Sequence, residues 1–338
     1  MEFAGGGRLE IRITPSDVGK RVSVRRVAEI VGARPVFADA VGLLTSWSGG
    51  VLIITRRNGE TVHIPEHQLV AGKVVPDRPA RSRRATPPTA TARELQELAS
   101  RGWPAVESER LGDWLLRASE GFTRRANSVL PLGDPGLPLD AAIRRVRDWY
   151  GERGLVPYVQ ATTGTADCDE RLDDRLARDG WIAEAYTLVY TGPIAPVADG
   201  PGAERVTLSR TPDAAWLARY HRTGELAEPA LRVLTGGPSV WFATVPGDET
   251  APAAIGRCVV DGRWAQFGAV EVDPRQRRSG LATAVMAALA RRALDEGATG
   301  GYLQVEEDNE GARALYERMG FTAHHGYHYR RAPQGGTR

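Results

Sequence analysis

Cysteine is nearly absent. Cys168 and Cys258 are the full complement in 338 residues, too few for a disulfide framework and in keeping with thiols held reduced in the cytosol. Long apolar runs are missing as well: none approaches the ~20 residues of a membrane span, and the N-terminus has no basic-then-apolar secretion signal. The expectation is a soluble, cytoplasmic protein with no membrane partner. Charge of one sign is not in excess, with 44 Lys+Arg against 42 Asp+Glu, so nucleic acid is not an expected partner. His324, His325 and His328 have no Cys or carboxylate set at ligand spacing beside them, so no metal is expected. The glycines never form Gly-x-Gly-x-x-Gly, which excludes the dinucleotide fingerprint, and no Gly-Lys-Ser/Thr marks a P-loop. What is present, 42% hydrophobic and 25% charged residues, is a globular composition, and the length favours two or three domains.

The most informative stretch runs from Gln266 to Phe321. An apolar strand closing at Val270, Val272 and Pro274 enters the turn "RQRRSGLA", which leads into an apolar-periodic helix over about Leu281 to Leu294. The first N–H groups of a helix have no internal partner and carry partial positive charge, so a helix starting at this turn suits a diphosphate. Gly280 and Ala282 permit close approach of phosphate, and Arg275, Arg277 and Arg278 offer guanidinium contacts. A second strand, Gly301 to Val305, precedes a helix with Ala312, Leu315 and Met319 on its inward stripe. Asn309 stands before that stripe and Tyr316 within it.

These two motifs, Arg277-x-x-Gly280-x-Ala282 and Asn309-x-x-Ala312-x-x-Leu315-Tyr316-x-x-x-Gly320-Phe321, resemble those of the GNAT superfamily of acetyl-CoA-dependent N-acetyltransferases. The resemblance implies that acetyl-CoA is the co-substrate. Backbone amides over Arg277, Arg278, Ser279, Gly280, Leu281 and Ala282 would bind its pyrophosphate. The strand ending Val270-Glu271-Val272 would splay from the strand ending Val305, with the Val270 N–H as oxyanion donor. Asn309 would hold the pantetheine arm, and Tyr316 would act as general acid toward the departing thiolate. The acceptor would be a small-molecule amine or a peptide amine.

At the general base the chain departs from common patterns of that family. Counting back from Gly280 and Tyr316, the positions that often carry Glu fall on Gln266 and Gln304, neither of which can act as a base. One reading has the glutamines hold a water that relays the proton. Another assigns the base to Glu306, which strand alternation places on the face of Gln304. Glu225, Glu228 and Glu271 are weaker candidates.

The rest of the chain packages this unit. Residues 1–76 read as a small all-β unit with Asn58-Gly59 as a hairpin turn and "PEHQL" as a helical turn, the plan of a Src-homology-3-like barrel. Trp47, Arg56, Arg57 and His63 are candidates for a binding surface on it. A basic Pro/Thr-rich linker follows over 77–91. Residues 92–196 echo the catalytic region, 203–332, without its chemistry. "DWLLRA" and "RRANSVLPL" read as strands, "LDAAIRRVRDWYGERG" as a helix, "VPYVQAT" as a strand and "CDERLDDRLARDGW" as a helix. Aligning Gly180-Trp181 with Gly320-Phe321 puts Leu176 at the Tyr316 position and Asp169 at the Asn309 position, and "GDPGLP" replaces the pyrophosphate turn. The tail "HHGYHYRR" reads as the final hairpin. The expected class is therefore α+β, with a mixed, splayed GNAT sheet in degenerate tandem halves behind an all-β barrel. This plan resembles an actinobacterial GNAT family, some of whose members are linked to N-acetylglutamate synthesis. Arg124, Arg125, Arg257 or Arg330 are the candidates to grip an acceptor carboxylate. A protein or peptide acetyltransferase recruiting its target through the barrel, and a non-catalytic acetyl-CoA-binding regulator, stand as alternatives; the oligomeric state is not legible.

Overall fold

A computed structural model describes residues 11–31, 34–56, 60–75, 87–164, 168, 170–220, 227–248 and 251–333. The chain divides into two compact units, Met1–Arg81 and Ser82–Arg338. In the first, strands β1 (Arg21–Val31), β2 (Arg34–Ser48), β3 (Val51–Thr55), β4 (Thr61–Pro65) and β5 (Leu69–Val74) form an antiparallel sheet in the order β4-β3-β2-β1-β5. The two-residue period sends Val22, Val24, Leu52 and Ile54 into one core with Leu44 and Ile64. A 3-10 turn at Glu66–Gln68 falls where "PEHQL" predicts one. Of the suggested binding surface, Trp47 packs against the core, Arg56 pairs with Glu60 at 3.1 Å and His63 is exposed. Arg57, the Asn58-Gly59 turn and most of the linker lie outside the described residues.

The second unit begins with α1 (Ala92–Gly102), opened by a capping box in which Thr91 Oγ1 accepts from the Glu94 N–H and Glu94 accepts from the Thr91 N–H. Strands β6 (Glu107–Leu111), β7 (Trp114–Ala118) and β8 (Leu130–Pro131) make a small sheet, followed by α2 (Leu139–Gly151), β9 (Tyr158–Thr163), α3 (Glu170–Arg178) and β10 (Ile182–Pro193). The expected strand "RRANSVLPL" is mostly a pinned loop with a 3-10 turn at Arg124–Ala126. Asn127 ties the turn before it: its Oδ1 accepts from the Ser119 and Gly121 N–H groups, and its Nδ2 donates to the Phe122 and Thr123 carbonyls. One side chain thereby pins the loop at residues 119–123 just ahead of the expected strand, of which only the end pairs, Val129 with Val159 and Leu130–Pro131 with β7.

After α4 (Ile194–Ala198) come β11 (Thr207–Ser209), α5 (Ala214–Arg219), α6 (Ala227–Thr235), β12 (Val240–Val245), β13 (Ala254–Asp261), β14 (Trp264–Val272), α7 (Leu281–Asp295), β15 (Gly300–Glu306), α8 (Glu310–Arg318) and β16 (Thr322–Arg331). One mixed sheet runs β11-β12-β13-β14-β15-β10-β16-β9. Helix α7 packs Leu281, Val285, Met286 and Leu289 on one face against Phe267, Leu303 and Val305. Gly256 of β13 allows that approach, since a Cβ there would stand 2.4 Å from Val285 Cγ1.

The sheet order carries a consequence for the tandem plan. The tail expected as a hairpin is a single strand, β16, because both its edges are already occupied: β10 pairs along one and β9 along the other. Strand β10, from the first half, lies between β15 and β16 of the second. Each half thus completes its sheet with the last strand of the other.

Candidate active site

The site begins where β14 and β15 part. They run parallel and pair over Trp264–Phe267 with Gly300–Leu303, and no pairing follows. A β-bulge reinforces the separation: β14 keeps register with β13 at Gly268 and again at Glu271, leaving Ala269 and Val270 outside the pairing. Ala269 has φ 49°, a left-handed value strained for a non-glycine residue. The bulge takes the Val270 amide off the ladder at the mouth of the gap, as an oxyanion donor requires.

A groove of about 800 Å³ opens from this gap. Val270, Glu271, Val272 and Pro274 line one wall; Asn309, Gly311, Ala312, Leu315 and Arg318 line the other; Arg277, Arg278, Gly280, Leu281, Ala282 and Thr283 form its floor. Eight of the residues singled out for the co-substrate (Val270, Val272, Arg277, Arg278, Gly280, Leu281, Ala282 and Asn309) therefore converge on one surface. Ser279 is not part of this lining; it is exposed and its hydroxyl donates to the Gln276 carbonyl at 2.5 Å. Gly280 is the N-cap of α7 at φ 81°, and no side chain caps that end. The free N–H groups, the helix dipole and the basic rim of Arg277, Arg278 and Arg318 fit a diphosphate. Asn309 caps α8, its Oδ1 accepting from the Ala312 N–H at 3.1 Å, so its NH2 is the end left for a ligand.

Sequence reasoning missed the residue that anchors the turn. Arg219, at the end of α5, donates to the Pro252 carbonyl at 2.8 Å and to Asp273 Oδ2 at 2.7 Å, and both side chains of the pair are buried. The other Asp273 oxygen accepts from the Arg275 N–H at 2.8 Å. That backbone bond first, and then Arg219, hold the Asp273 carboxyl below the usual carboxylate range. Pro274 was legible as the close of the strand before the turn; Asp273 was not singled out, and Arg219, far off in sequence, carried no signal. Arg219→Ala is expected to lower kcat/KM for acetyl-CoA by about 10- to 100-fold through misplacement of the turn. An unchanged value in steady-state kinetics contradicts the anchoring role.

Tyr316 sits behind the groove lining rather than on it. Its ring meets Phe321 edge-on at 6.4 Å, and Phe321 meets Phe267 in the same way at 6.3 Å. The aromatic run links the last paired residue of β14 to the tyrosine, which explains a phenylalanine after Gly320. Burial pushes the Tyr316 hydroxyl up to about 12. It makes no hydrogen bond among the described residues.

The opposite face of the sheet carries Gln266, Tyr302, Gln304 and Glu306, since Leu303 and Val305 point toward α7. The Oε1 atoms of Gln266 and Gln304 are both buried without a partner. An unpaired buried carbonyl oxygen costs roughly 1–3 kcal/mol, so each is an acceptor open to a water or a ligand. Glu306 shares their face but is exposed at the end of β15, lining a shallow cavity with Arg124 and Tyr186. Glu228 is exposed, Glu271 lines the large groove, and Glu225 lies outside the described residues. In the first half, Leu176 is buried in the core beside Trp181, and the cavity at the "GDPGLP" loop is lined by Asp113 and Asp134 rather than by arginines alone. Asp169 lies outside the described residues. Among the described residues no group of His, Cys, Asp and Glu is arranged to hold a metal ion, and no helix is long and apolar enough to cross a membrane.

The family profile described as "Probable histone acetyltransferase Rv0428c C-terminal" matches residues 89–330. The probable histone acetyltransferase Rv0428c of Mycobacterium tuberculosis is 31% identical over 318 residues, spanning 92% of this chain and 94% of that protein. The uncharacterized N-acetyltransferase YobR of Bacillus subtilis is 26% identical over 253 residues, 70% of this chain and 97% of that one. Among solved structures, a GCN5-related N-acetyltransferase from Kribbella flavida matches with TM-score 0.53 and 16% identity over 73% of this chain and 98% of that one. A tandem GNAT protein from the clavulanic acid biosynthesis pathway matches with TM-score 0.52 and 13% identity, over 76% and 93% of the two chains. These two likenesses speak to the fold alone, in agreement with the splayed sheet and paired halves. With the profile and the mycobacterial relative both spanning the groove and the two halves, the chain belongs to the Rv0428c family of GNAT acetyltransferases.

Proposed function

We propose that the protein transfers the acetyl group of acetyl-CoA to a primary amine by direct attack, with Tyr316 as the proton donor to the leaving thiolate. The observation that carries this reading is the opening of the β14–β15 gap into a groove floored by the uncapped N-terminus of α7. The diphosphate fits that floor, and the thioester carbonyl then falls beside the bulged Val270 amide. The amine lone pair attacks the carbonyl carbon, the C–S bond breaks, the ammonium loses one proton and the sulfur takes one.

Tyr316 does not deliver that proton in a separate step. A phenol near 12 facing a thiol near 8.5 makes complete transfer uphill by about 5 kcal/mol at ~1.4 kcal/mol per unit, so the hydroxyl donates a hydrogen bond as the C–S bond opens. On the amine side, the unpaired oxygens of Gln266 and Gln304 favour the relay reading over a direct carboxylate base. They can accept from the ammonium or from a water that carries its proton toward Glu306 and solvent.

A peptide acceptor is the second reading, favoured by the printed name of the mycobacterial relative, a probable histone acetyltransferase. Thiol release from acetyl-CoA, followed against amino acids, polyamines and lysine peptides, separates the two. Turnover of small amines that survives removal of residues 1–81 is the expected result; turnover of peptides alone, lost on that removal, supports recruitment. Tight acetyl-CoA binding with no thiol release on any acceptor overturns transfer altogether.

A further inference from the structure

Helix α8 bears Tyr316 and is capped by Asn309, yet none of its 9 residues is buried. Ala312, Tyr316 and Met319 are only partly buried against the core. A helix this short is marginal by itself, so its position has to be fixed from outside. Tyr316 has no hydrogen bond of its own among the described residues that could set its place. The contacts that do the fixing converge on β10, the strand that comes from the first half.

Tyr190 of β10 is 1% exposed and lies in the same core. Its hydroxyl meets the flank of α8, donating to Glu317 Oε1 at 2.9 Å and accepting from Arg313 Nε at 3.3 Å. Arg313 also donates from Nη1 to the Glu307 carbonyl at 2.9 Å, and the Glu307 N–H donates to the Tyr186 carbonyl of β10 at 2.8 Å. The bonds close a ring, from β10 to α8, from α8 to the end of β15, and from there back to β10. Past the helix, Gly192 of β10 lets the Gly320-Phe321 corner approach: a Cβ there would stand 3.0 Å from the Gly320 carbonyl oxygen and 3.1 Å from Phe321 Cα.

The two residues that hold the hydroxyl are well placed to stop one motion. Arg313 and Glu317 are four apart, on neighbouring turns, and each follows by one position a residue of the inward stripe, Ala312 and Tyr316. At about 100° per residue they stand on the flank of the helix rather than its underside. A hydroxyl bonded to both resists rolling of α8 about its axis, the motion that would swing Tyr316 away from its place. We infer that Tyr190 is a positioning residue for the reaction: through Glu317 and Arg313 it sets the rotation of α8, and so the place of the Tyr316 hydroxyl at the leaving sulfur. The inference rests on the acetyl-transfer reading above and adds to it a residue of the first half that is not part of the groove lining.

The test uses the full chain and the amine that turns over fastest among amino acids, polyamines and lysine peptides. Tyr190→Phe keeps the ring in the core and removes only the hydroxyl. In the wild-type protein it should lower kcat by about 10- to 100-fold, as a displacement near 1 Å does, with little change in KM for acetyl-CoA. In a Tyr316→Phe background it should cost less than about 2-fold, because the group it positions is gone. Glu317→Leu should reproduce the loss, and Glu317→Gln, which keeps an acceptor, should recover part of it. An equal cost in both backgrounds overturns the inference, since a general loosening of the core would add to the Tyr316 change. Amide hydrogen exchange gives a readout free of catalysis: in Tyr190→Phe the amides of residues 313–321 should exchange about 5- to 30-fold faster, with those of α7 unaffected. Unchanged exchange over 313–321 overturns the clamp. Full activity in Tyr316→Phe sinks the donor reading by itself; faster exchange over 313–321 then still supports Tyr190 as the residue that holds α8.

Discussion

Tyr316→Phe lowers kcat by about 10²- to 10⁴-fold and leaves both the melting temperature and the affinity for acetyl-CoA unchanged. The hydroxyl makes no hydrogen bond among the described residues, so its removal breaks none there. The ring keeps its edge-on contact with Phe321 at 6.4 Å, and phenylalanine reproduces it. On the proposed mechanism, what is lost is the hydrogen-bond donor to the sulfur as the C–S bond opens. A pH profile supplies an independent readout. Because burial pushes the hydroxyl up to about 12, Tyr316 stays protonated throughout an ordinary assay range. In the wild-type protein kcat/KM should therefore rise with pH as the acceptor amine deprotonates, with no fall assignable to Tyr316 below about pH 11. The same rising limb should persist in Tyr316→Phe at a lower plateau. Gln304→Leu should cost less, since in the relay reading Gln266 is still there to hold a water. Full activity in Tyr316→Phe would falsify the assignment.

The residues that line the large groove were legible because they are local in sequence. An uncapped helix N-terminus, a glycine at a left-handed position and a basic turn lie within a dozen residues or so of sequence, and the second motif repeats that economy with Asn309 and Tyr316. The contacts that join distant segments were not legible, because no local pattern records them. Arg219 reaches Asp273 from a short helix, and Arg125 reaches Tyr327 from the loop that Asn127 curls. The expected strand "RRANSVLPL" survives only at its end, where Val129 bridges to Val159 and Leu130–Pro131 pair with β7; ahead of that end the chain turns at Arg124–Ala126, beside the residues 119–123 that Asn127 ties together. The single tail strand was read as a hairpin for a related reason. Nothing within "HHGYHYRR" records that both of its edges are taken by strands of the other half.

That exchange of strands yields the other large expected effect: residues 203–338 produced alone do not fold cooperatively, and residues 82–200 supplied by coexpression restore both a thermal transition and thiol release. Strand β10 pairs with β15 over seven residue positions and with β16 over eight. At a net ~0.5–1.5 kcal/mol per hydrogen bond, two ladders of this length are comparable to the ~5–15 kcal/mol total stability of a domain. A polar chain through the buried interior adds to the loss. Arg117 donates to Gln160 at 2.9 Å, Gln160 to Gln96 at 2.6 Å, and Gln96 lies 2.8 Å from Nε2 of His325 on β16. Cutting between the halves breaks the Gln96–His325 contact that ends this chain. Such polar continuity would be an odd feature in two domains merely placed side by side, and it gives the first half a reason to persist without the groove chemistry of its partner. It supplies the strand that keeps β15 in place at the splay, and Tyr190 of that strand holds α8. A C-terminal half that melts cooperatively and releases thiol by itself would show that the shared sheet is dispensable and that the first half is not a structural part of the active site.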